Sequence, residues 1–179
     1  AAVGALRFAG RNLWQMVTGR WHRFGYACVN FGTPVSMRAY CAERDIDFRA
    51  MEKDERFAAV EALGTELMSA VGAVIPVVPV PLVATVFMRD PSAALGELEL
   101  KARVHELIGE LEAAGARVYI PRSDLDYGVV VGLRMLTLRH LVRQGDDGLY
   151  TPVPSELTVL RYYANSIAHL VPAPALAAA

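Results

Sequence analysis

A stripe of uncharged hydrogen-bonding side chains near the C-terminal end is the feature of this sequence best suited to chemistry. Thr158, Tyr162, Asn165 and His169 recur at intervals of three and four residues, which places them on one face of a helix. A helix with such a face and an opposite apolar face can contact two surfaces, an apolar core on one side and a polar surface on the other. The simpler interpretation, which the pattern alone favours, is a helix end whose polar groups are satisfied locally. The opposite face is apolar and consists of Leu157, Leu160, Ala164, Ile167 and Val171.

Composition limits the classes of protein to which the chain can belong. Its 179 residues, 54% of them hydrophobic, carry a formal net charge of −1, which offers no electrostatic footprint for nucleic acid. The length suits one medium domain or part of a larger protein, and the start Ala-Ala-Val predicts a part. No signal peptide is expected. Cys28 and Cys41 are too few for a disulfide framework, so we expect two small buried hydrophobes in a reducing compartment.

One apolar run, residues 70–87, has about the length of a membrane span. Pro76, Pro79 and Pro81 argue against a spanning helix, because proline lacks the amide donor that a helix interior needs. The run therefore predicts a buried, extended connector between two helices, followed by a short apolar helix at Leu82–Met88. A segment lying on a membrane surface remains an alternative.

Periodicity and cap residues predict the elements that position these groups. A first helix, Leu6 to His22, interleaves apolar residues with arginines, and a strand at Gly25–Phe31 ends in the turn Gly32-Thr33-Pro34. Ser36 caps a short helix. This helix is predicted at Met37–Glu43, and a longer one at Asp54–Val74, with Phe57, Val60, Leu67 and Val71 facing inward. Further helices are predicted at Glu97–Ala114, where Gly115 ends the helix, and from Ser123 or Asp124 onward. A hairpin is predicted over residues 141–153, with Asp147-Gly148 in its turn.

The order of three helices and a hairpin between Leu82 and Val153 has the outline of a winged helix, which suggests nucleic-acid binding as one function. A recognition helix should present several cationic or amide side chains to the groove. The third helix carries only Arg134, Arg139 and Arg143, and the turn of the hairpin is acidic. We therefore expect no nucleic-acid partner.

Three ordered segments resemble the membrane-bound glycerol-3-phosphate acyltransferase family. Residues Asn30-Phe31-Gly32-Thr33-Pro34 resemble the family's V-N-F-G-E-P strand and turn, and residues 75–84 its N-A-V-T-P-V-T-P-x-x-L-V-A passage. Tyr162-Tyr163-Ala164-Asn165-Ser166-Ile167-Ala168-His169 resembles its Tyr-Tyr-x-Asn-x-Ile-x-His signature. Thr33 replaces the usual Glu, and Ala164 and Ser166 stand where Arg and Asn are common. Dihydroxyacetone-phosphate acyltransferases share much of this region and are the nearest alternative.

The resemblance implies a C-terminal part of an enzyme that acylates the 1-hydroxyl of sn-glycerol 3-phosphate, with acyl-CoA or acyl carrier protein as donor. It implies an α+β fold, mainly α. Residues 1–34 would end an α/β acyltransferase core, as helix and strand, and residues 35–179 would form a helical domain with a small winged-helix-like β-hairpin. Its implied partners are the missing N-terminal acyltransferase core and the cytoplasmic side of the cell membrane. No cofactor or metal is implied.

The family's catalytic base is a histidine in a His-x-x-x-x-Asp motif, and no histidine of this chain has that context. Only His105 has a carboxylate at this spacing, Glu110, and on a helix the two would diverge by about 140°. We therefore expect no catalytic residue here and no acyl transfer by this chain alone. The family-motif positions are Asn30, Phe31, Gly32, Pro34, Tyr162, Tyr163, Asn165 and His169.

Among these positions we expect Tyr162, Asn165 and His169 to be the most constrained. Their expected role is to hydrogen-bond to the missing core, with direct substrate contact as the alternative. A helical interaction protein that kept the fold without the chemistry is a third functional hypothesis.

Overall fold

Helices dominate the part of the chain that the computed structural model describes, which is residues 28–171 together with Gly4, Gly10, Leu13 and Trp14. The continuous part contains six α-helices and one two-stranded sheet. The fold is mainly α with a small hairpin, which confirms the predicted class. In chain order the elements are α1 (Met37–Glu43), α2 (Lys53–Gly72), α3 (Pro79–Arg89), α4 (Glu97–Ala113), α5 (Leu125–Leu138), β1 (Val142–Gln144), β2 (Tyr150–Pro152) and α6 (Leu157–Asn165).

Three helix ends follow from local hydrogen bonds and backbone preferences that the sequence predicted. The amide of Ala39 donates to the Ser36 hydroxyl oxygen at 3.3 Å, so α1 begins directly after Ser36. The Asp124 carboxylate accepts from the Tyr127 amide at 3.0 Å and caps α5 in the same way. Just beyond α4, Gly115 has φ +82°, the left-handed conformation in which glycine commonly ends a helix.

The prolines of the apolar run correct one prediction, because two of them start a helix where an extended connector was expected. α3 begins at Pro79, three residues before the predicted start, and Pro81 also lies in its first turn. Amides of a first helical turn have no intrahelical acceptor, so the missing donors of proline cost nothing there. The extended connector is therefore shorter than predicted. Within it, Val77 pairs in parallel with Val118 and is fully buried.

The core forms around α3, which is apolar on every side. Its residues 81–87 are all buried, and Val83, Ala84 and Phe87 have no exposed surface. A helix that is apolar all round must be enclosed by other elements. Here α4, α5 and α6 pack against it. The other large side chains that are fully buried include Leu95, Leu100, Leu107, Leu111, Leu136, Leu160 and Ile167.

The predicted hairpin is confirmed. Val142 pairs with Pro152, Arg143 with Thr151 and Gln144 with Tyr150 in an antiparallel register. Gly148 takes φ +79° in the turn, as the Asp-Gly pair predicted. Leu95 adds a short bridge on the outer side of β2, where its amide and carbonyl bond to those of Tyr150 at 2.9 and 2.8 Å. The hairpin is thereby tied to the segment that precedes α4.

The long helix α2 contradicts the prediction that one of its faces points inward. None of its residues is buried, and Phe57, Val60, Leu67 and Val71 are exposed. Periodicity correctly predicted a helix, but it does not reveal whether a partner for the apolar face lies in the same chain. Arg44, the residue that follows α1, forms an ion pair with Glu66 of α2 at 2.8 Å.

The predicted first strand is not observed over its described part. Residues 28–31 belong to no strand, and residues 25–27 lie outside the described residues. A strand needs a neighbouring strand for its backbone hydrogen bonds, and β1–β2 is the one sheet in the described ranges. The predicted first helix is described at Gly10, Leu13 and Trp14, which are helical. Its other residues lie outside the described part.

Within the same described ranges, no helix combines the length and the apolar character that crossing a bilayer requires. The apolar run of residues 70–87 is divided among the end of α2, the connector and α3.

Candidate functional site

The three segments that resembled family motifs come together at the C-terminal end of α2. The Asn30 side-chain amide donates to the Val74 carbonyl at 3.0 Å, across 44 residues of sequence. The His169 imidazole bonds through Nε2 to the Gly72 carbonyl at 3.0 Å, across 97 residues. The proline-containing segment begins one residue after Val74. We call Asn30, Gly72, Val74 and His169 the α2-end cluster.

The chemistry of a helix end explains why these two side chains are needed. The last carbonyls of an α-helix have no intrahelical donor and must find partners elsewhere. The Ile75 amide reaches the Gly72 carbonyl at 3.1 Å, and His169 supplies a second donor to the same oxygen. Because a carbonyl only accepts, the bonded Nε2 carries the proton in this tautomer. The Val74 carbonyl receives its side-chain donor from Asn30.

Two glycines allow the close approach that these hydrogen bonds require. A Cβ added to Gly72 would lie 3.3 Å from Cδ2 of His169, and one added to Gly32 would lie 3.1 Å from Cγ1 of Val74. Both distances are tighter than ordinary van der Waals contact, so a larger residue would push the imidazole or the Val74 side chain away. Gly32 therefore contributes to the α2-end cluster by its small size.

The polar stripe on α6 is only partly realised, because the helix ends at Asn165 and does not continue to Val171 as predicted. Residues 168–170 form a 3-10 turn, and this turn carries His169 toward α2. The apolar face is confirmed, since Leu160, Ala164, Ile167 and Val171 are all buried. The tighter turn keeps Ile167 and Val171 in the core although the α-helix has ended.

The structure separates seven of the eight predicted motif residues into two groups. Asn30, Gly32 and His169 meet at the α2-end cluster, whereas Phe31, Pro34, Tyr162 and Asn165 are exposed and lie outside it. The side chains of Tyr162 and Asn165 have no hydrogen-bond partner among the described residues; the Tyr162 ring meets Tyr163 edge to face, with centroids 5.8 Å apart.

Tyr163 has a different role from its neighbour, since it ties α6 to the end of α5. Its hydroxyl accepts a hydrogen bond from the Arg139 guanidinium, and the same guanidinium lies 5.4 Å from the centre of its ring. Arg139 directly follows the last residue of α5. Sequence reasoning missed Arg139 as a partner, and it missed the Gly72 and Val74 carbonyls because backbone groups carry no residue-type signal.

A shallow apolar groove of about 400 Å³ opens beside the cluster. Residues of α2 and His169 both line it. Its lining is Met68, Ser69, Val71, Gly72, Ala73, Ile75, His169 and Leu170.

In the part of the chain that it describes, the structure does not bring a histidine together with a free carboxylate five residues later, which is the spacing of the family's catalytic motif. His105 is exposed on α4, five residues from Glu110, and the Glu110 carboxylate pairs with the Arg89 guanidinium. Within the described ranges, no cluster of three histidine, cysteine or acidic side chains could hold a metal ion. The α2-end cluster consists of carbonyl-capping hydrogen bonds, so the chemistry that it supports is structural.

Replacing Asn30 by alanine tests the cluster. The Val74 carbonyl would lose a partly buried donor, and we expect the free energy of unfolding of the 179-residue chain to fall by about 1 kcal/mol. His169→Ala should also lower the free energy of unfolding. His169→Gln should lower it less than His169→Ala does, because the amide nitrogen of glutamine can also donate to the Gly72 carbonyl. Urea denaturation provides the measurement.

Asn165→Ala is the matched control, since it makes the same change at an exposed amide with no partner among the described residues. We expect its effect to stay within about 0.5 kcal/mol. Equal losses for Asn30→Ala and Asn165→Ala would contradict the assignment of a specific role to Asn30.

Comparison with known proteins agrees with the order of these segments. The family model described as the glycerol-3-phosphate acyltransferase C-terminal region matches residues 12–179. A curated relative, the glycerol-3-phosphate acyltransferase of Xanthomonas axonopodis pv. citri (strain 306), is 22% identical over 167 residues, which cover 88% of this chain. The chain spans 19% of the length of that relative. No solved structure matches the chain.

Proposed function

The chain belongs to the family of glycerol-3-phosphate acyltransferase C-terminal regions, and from this membership we propose the activity of the complete protein. The complete polypeptide transfers a fatty acyl group from acyl-CoA or acyl carrier protein to the 1-hydroxyl of sn-glycerol 3-phosphate. The product, lysophosphatidate, enters phospholipid synthesis. The observation that carries the proposal is the match over residues 12–179, supported by the convergence of the three motif segments on the α2-end cluster.

The role that we propose for this chain is structural support, with catalysis assigned to an upstream acyltransferase region. His105 is the one histidine with a carboxylate five residues later, and that carboxylate, Glu110, is engaged by Arg89. His169 uses its Nε2 proton to bond to the Gly72 carbonyl. Five residues after His169 the chain has Pro174, so neither histidine has the aspartate that orients an imidazole as general base in the family motif. We therefore assign the base to a residue outside this chain.

Residues 1–34, by the same proposal, complete the upstream acyltransferase core, and residues 35–179 form the domain that packs beside it. Tyr162 and Asn165 are exposed, and we assign their polar groups to hydrogen bonds with that core. The complete enzyme works at the cytoplasmic side of the cell membrane, where its acylated product is released.

Acyl-transfer assays with radiolabelled donor test the proposed activity. We expect the complete polypeptide to acylate glycerol 3-phosphate and the 179-residue chain to show no turnover. His105→Ala in the complete polypeptide is the control, and its rate should match that of the wild type. Turnover by the 179-residue chain, or loss of turnover in His105→Ala, would place the base within this chain and contradict the proposal.

The same assay separates the alternatives that the resemblance left open. Dihydroxyacetone phosphate as acceptor tests the related acyltransferase activity, and no transfer to either acceptor would favour an interaction protein. Asn165→Ala in the complete polypeptide tests the role of that amide. A lower melting temperature at unchanged KM supports contact with the core, whereas a raised KM in an equally stable protein indicates substrate contact.

A further inference from the structure

The exposed face of α2 has the pattern of a helix-packing seam. Phe57, Val60, Gly64, Leu67 and Val71 follow one another at alternating intervals of three and four residues, and we call these five residues the α2 seam. This spacing aligns side chains along one line of a helix, as in the core positions of two helices packed side by side. The described part of the chain leaves these side chains exposed: Phe57 is 63% exposed and Val71 is 54% exposed.

The exposure of α2 requires a physical explanation. The helix has 20 residues, a length of about 30 Å, and none of them is buried. Helices in proteins gain most of their stability from packing an apolar face, and exposed apolar patches of this kind usually mark interaction sites. Met68, next to the seam, is 69% exposed and extends the same surface into the groove beside the α2-end cluster.

We propose that the α2 seam docks against an apolar helix of the upstream acyltransferase region of the same polypeptide. The proposal rests on the proposed function, since it needs that region to exist. The curated relative is long enough to contain such a region, because this chain spans only 19% of the length of that relative.

The path of the chain favours this occupant. The hydrogen bond from Asn30 to Val74 holds residue 30 beside the C-terminal end of α2, where Val71 closes the seam. Gly32 packs against Val74 at the same place. A polypeptide arriving at residue 28 from upstream is therefore tethered next to the seam. Such a tether raises the effective concentration of an upstream partner over that of any free molecule.

Charge argues against the other occupants. α2 carries Asp54, Glu55, Glu61 and Glu66 against Lys53 and Arg56, so four acidic and two basic side chains leave a net charge of −2. An acidic helix is repelled by anionic lipid headgroups, which attract basic segments. The acidic flanks of two copies would likewise repel each other. A partner helix with basic flanks fits best.

Gly64 gives the seam a further property. A Cβ placed on this residue would meet nothing within 4 Å, so no contact among the described residues requires a glycine there. Glycine inside an exposed helix is destabilising relative to alanine. A partner backbone that approaches the seam closely would explain it.

Thiol accessibility tests the proposal without depending on catalysis. Leu67→Cys places a thiol in the seam, and Leu98→Cys places one on α4, at a site that is 82% exposed. Maleimide modification is followed by peptide mass spectrometry in the 179-residue chain and in the complete polypeptide. We expect Cys at position 67 to react roughly tenfold or more slowly in the complete polypeptide, because a covered thiol reacts only after local opening. The thiol at position 98 should react equally in both.

Equal rates at position 67 in the two proteins would overturn the proposal. So would slowing that depends on protein concentration, which indicates a second copy, or slowing that needs added anionic vesicles, which indicates lipid. If acyl transfer fails but position 67 is protected at every dilution in the complete polypeptide, the proposed activity is wrong and the seam proposal stands.

Gly64→Ala provides a second measurement that does not require cysteine. In the 179-residue chain we expect it to raise the melting temperature by roughly 2 °C, as alanine does in an exposed helix. In the complete polypeptide the added methyl should remove that gain or reverse it. Gly109→Ala on α4, where an added Cβ also meets nothing within 4 Å, is the matched control and should be stabilising in both proteins. A gain for Gly64→Ala in the complete polypeptide equal to that of Gly109→Ala would count against a close partner.

Discussion

Phe87→Ala is expected to lower the free energy of unfolding of the 179-residue chain by about 3–5 kcal/mol. Phe87 has no exposed surface and lies on α3, the helix that α4, α5 and α6 enclose. Removing the ring takes away buried apolar area and leaves a cavity that three packed helices can only partly close. Urea denaturation measures the loss, with the denaturant slope checked for constancy.

Phe57→Ala makes the same chemical change on α2, where the ring is 63% exposed. We expect its effect on the 179-residue chain to stay within about 0.5 kcal/mol. Comparable losses at the two positions would mean that Phe57 is covered in this chain, and would contradict the arrangement of the core around α3.

Gly132→Ala is the second substitution with a large expected effect. We expect overpacking to lower the free energy of unfolding of the 179-residue chain by about 1–3 kcal/mol. Gly132 lies on α5 where it crosses the start of α3. A Cβ there would lie 2.6 Å from the Pro79 carbonyl oxygen and 2.9 Å from Cγ2 of Val83. Because the nearest atom belongs to the backbone, the two helices would have to separate. This cost exceeds the gain of up to about 1 kcal/mol that alanine brings to a helix.

The control for Gly132 is again Gly109, where an added Cβ would meet nothing within 4 Å. Gly109→Ala should raise the free energy of unfolding by about 0.5–1 kcal/mol. Denaturation of both variants separates backbone preference from packing. A gain at Gly132 would show that α3 and α5 do not approach as closely as the structure describes.

Local sequence signals predicted the helices well where the deciding contact lies within a few residues. Ser36 and Asp124 begin α1 and α5 because each side chain accepts from an amide three residues later. Gly115 ends α4, and Asp147-Gly148 turns the hairpin, because glycine alone takes these backbone angles without strain. The proline prediction was wrong for a related reason. Proline opposes the interior of a helix but suits its first turn, and the composition of the run does not show where the turn begins.

The α2-end cluster shows a different limit. Family motifs identified Asn30 and His169 as notable residues, but their acceptors are the carbonyls of Val74 and Gly72, which lie 44 and 97 residues away in sequence. A backbone carbonyl looks the same at every position, so sequence cannot indicate which one a side chain will reach. His169 has this partner within the chain, and its expected bond to the upstream core stays a prediction.

The sequence by itself determined where helices and turns form, which face of α6 is apolar, and the family to which the motif segments point. Those properties depend on hydrogen bonds, backbone angles and periodicity within a few residues. Tertiary structure alone decided that other helices enclose α3, that the α2 seam is exposed, and that a 3-10 turn brings His169 to Gly72. Burial is a relation between elements far apart in the chain, and it depends on which partners are present. The apolar pattern of α2 therefore predicted the helix correctly and its buried face wrongly, because nothing in the described part of the chain covers that face.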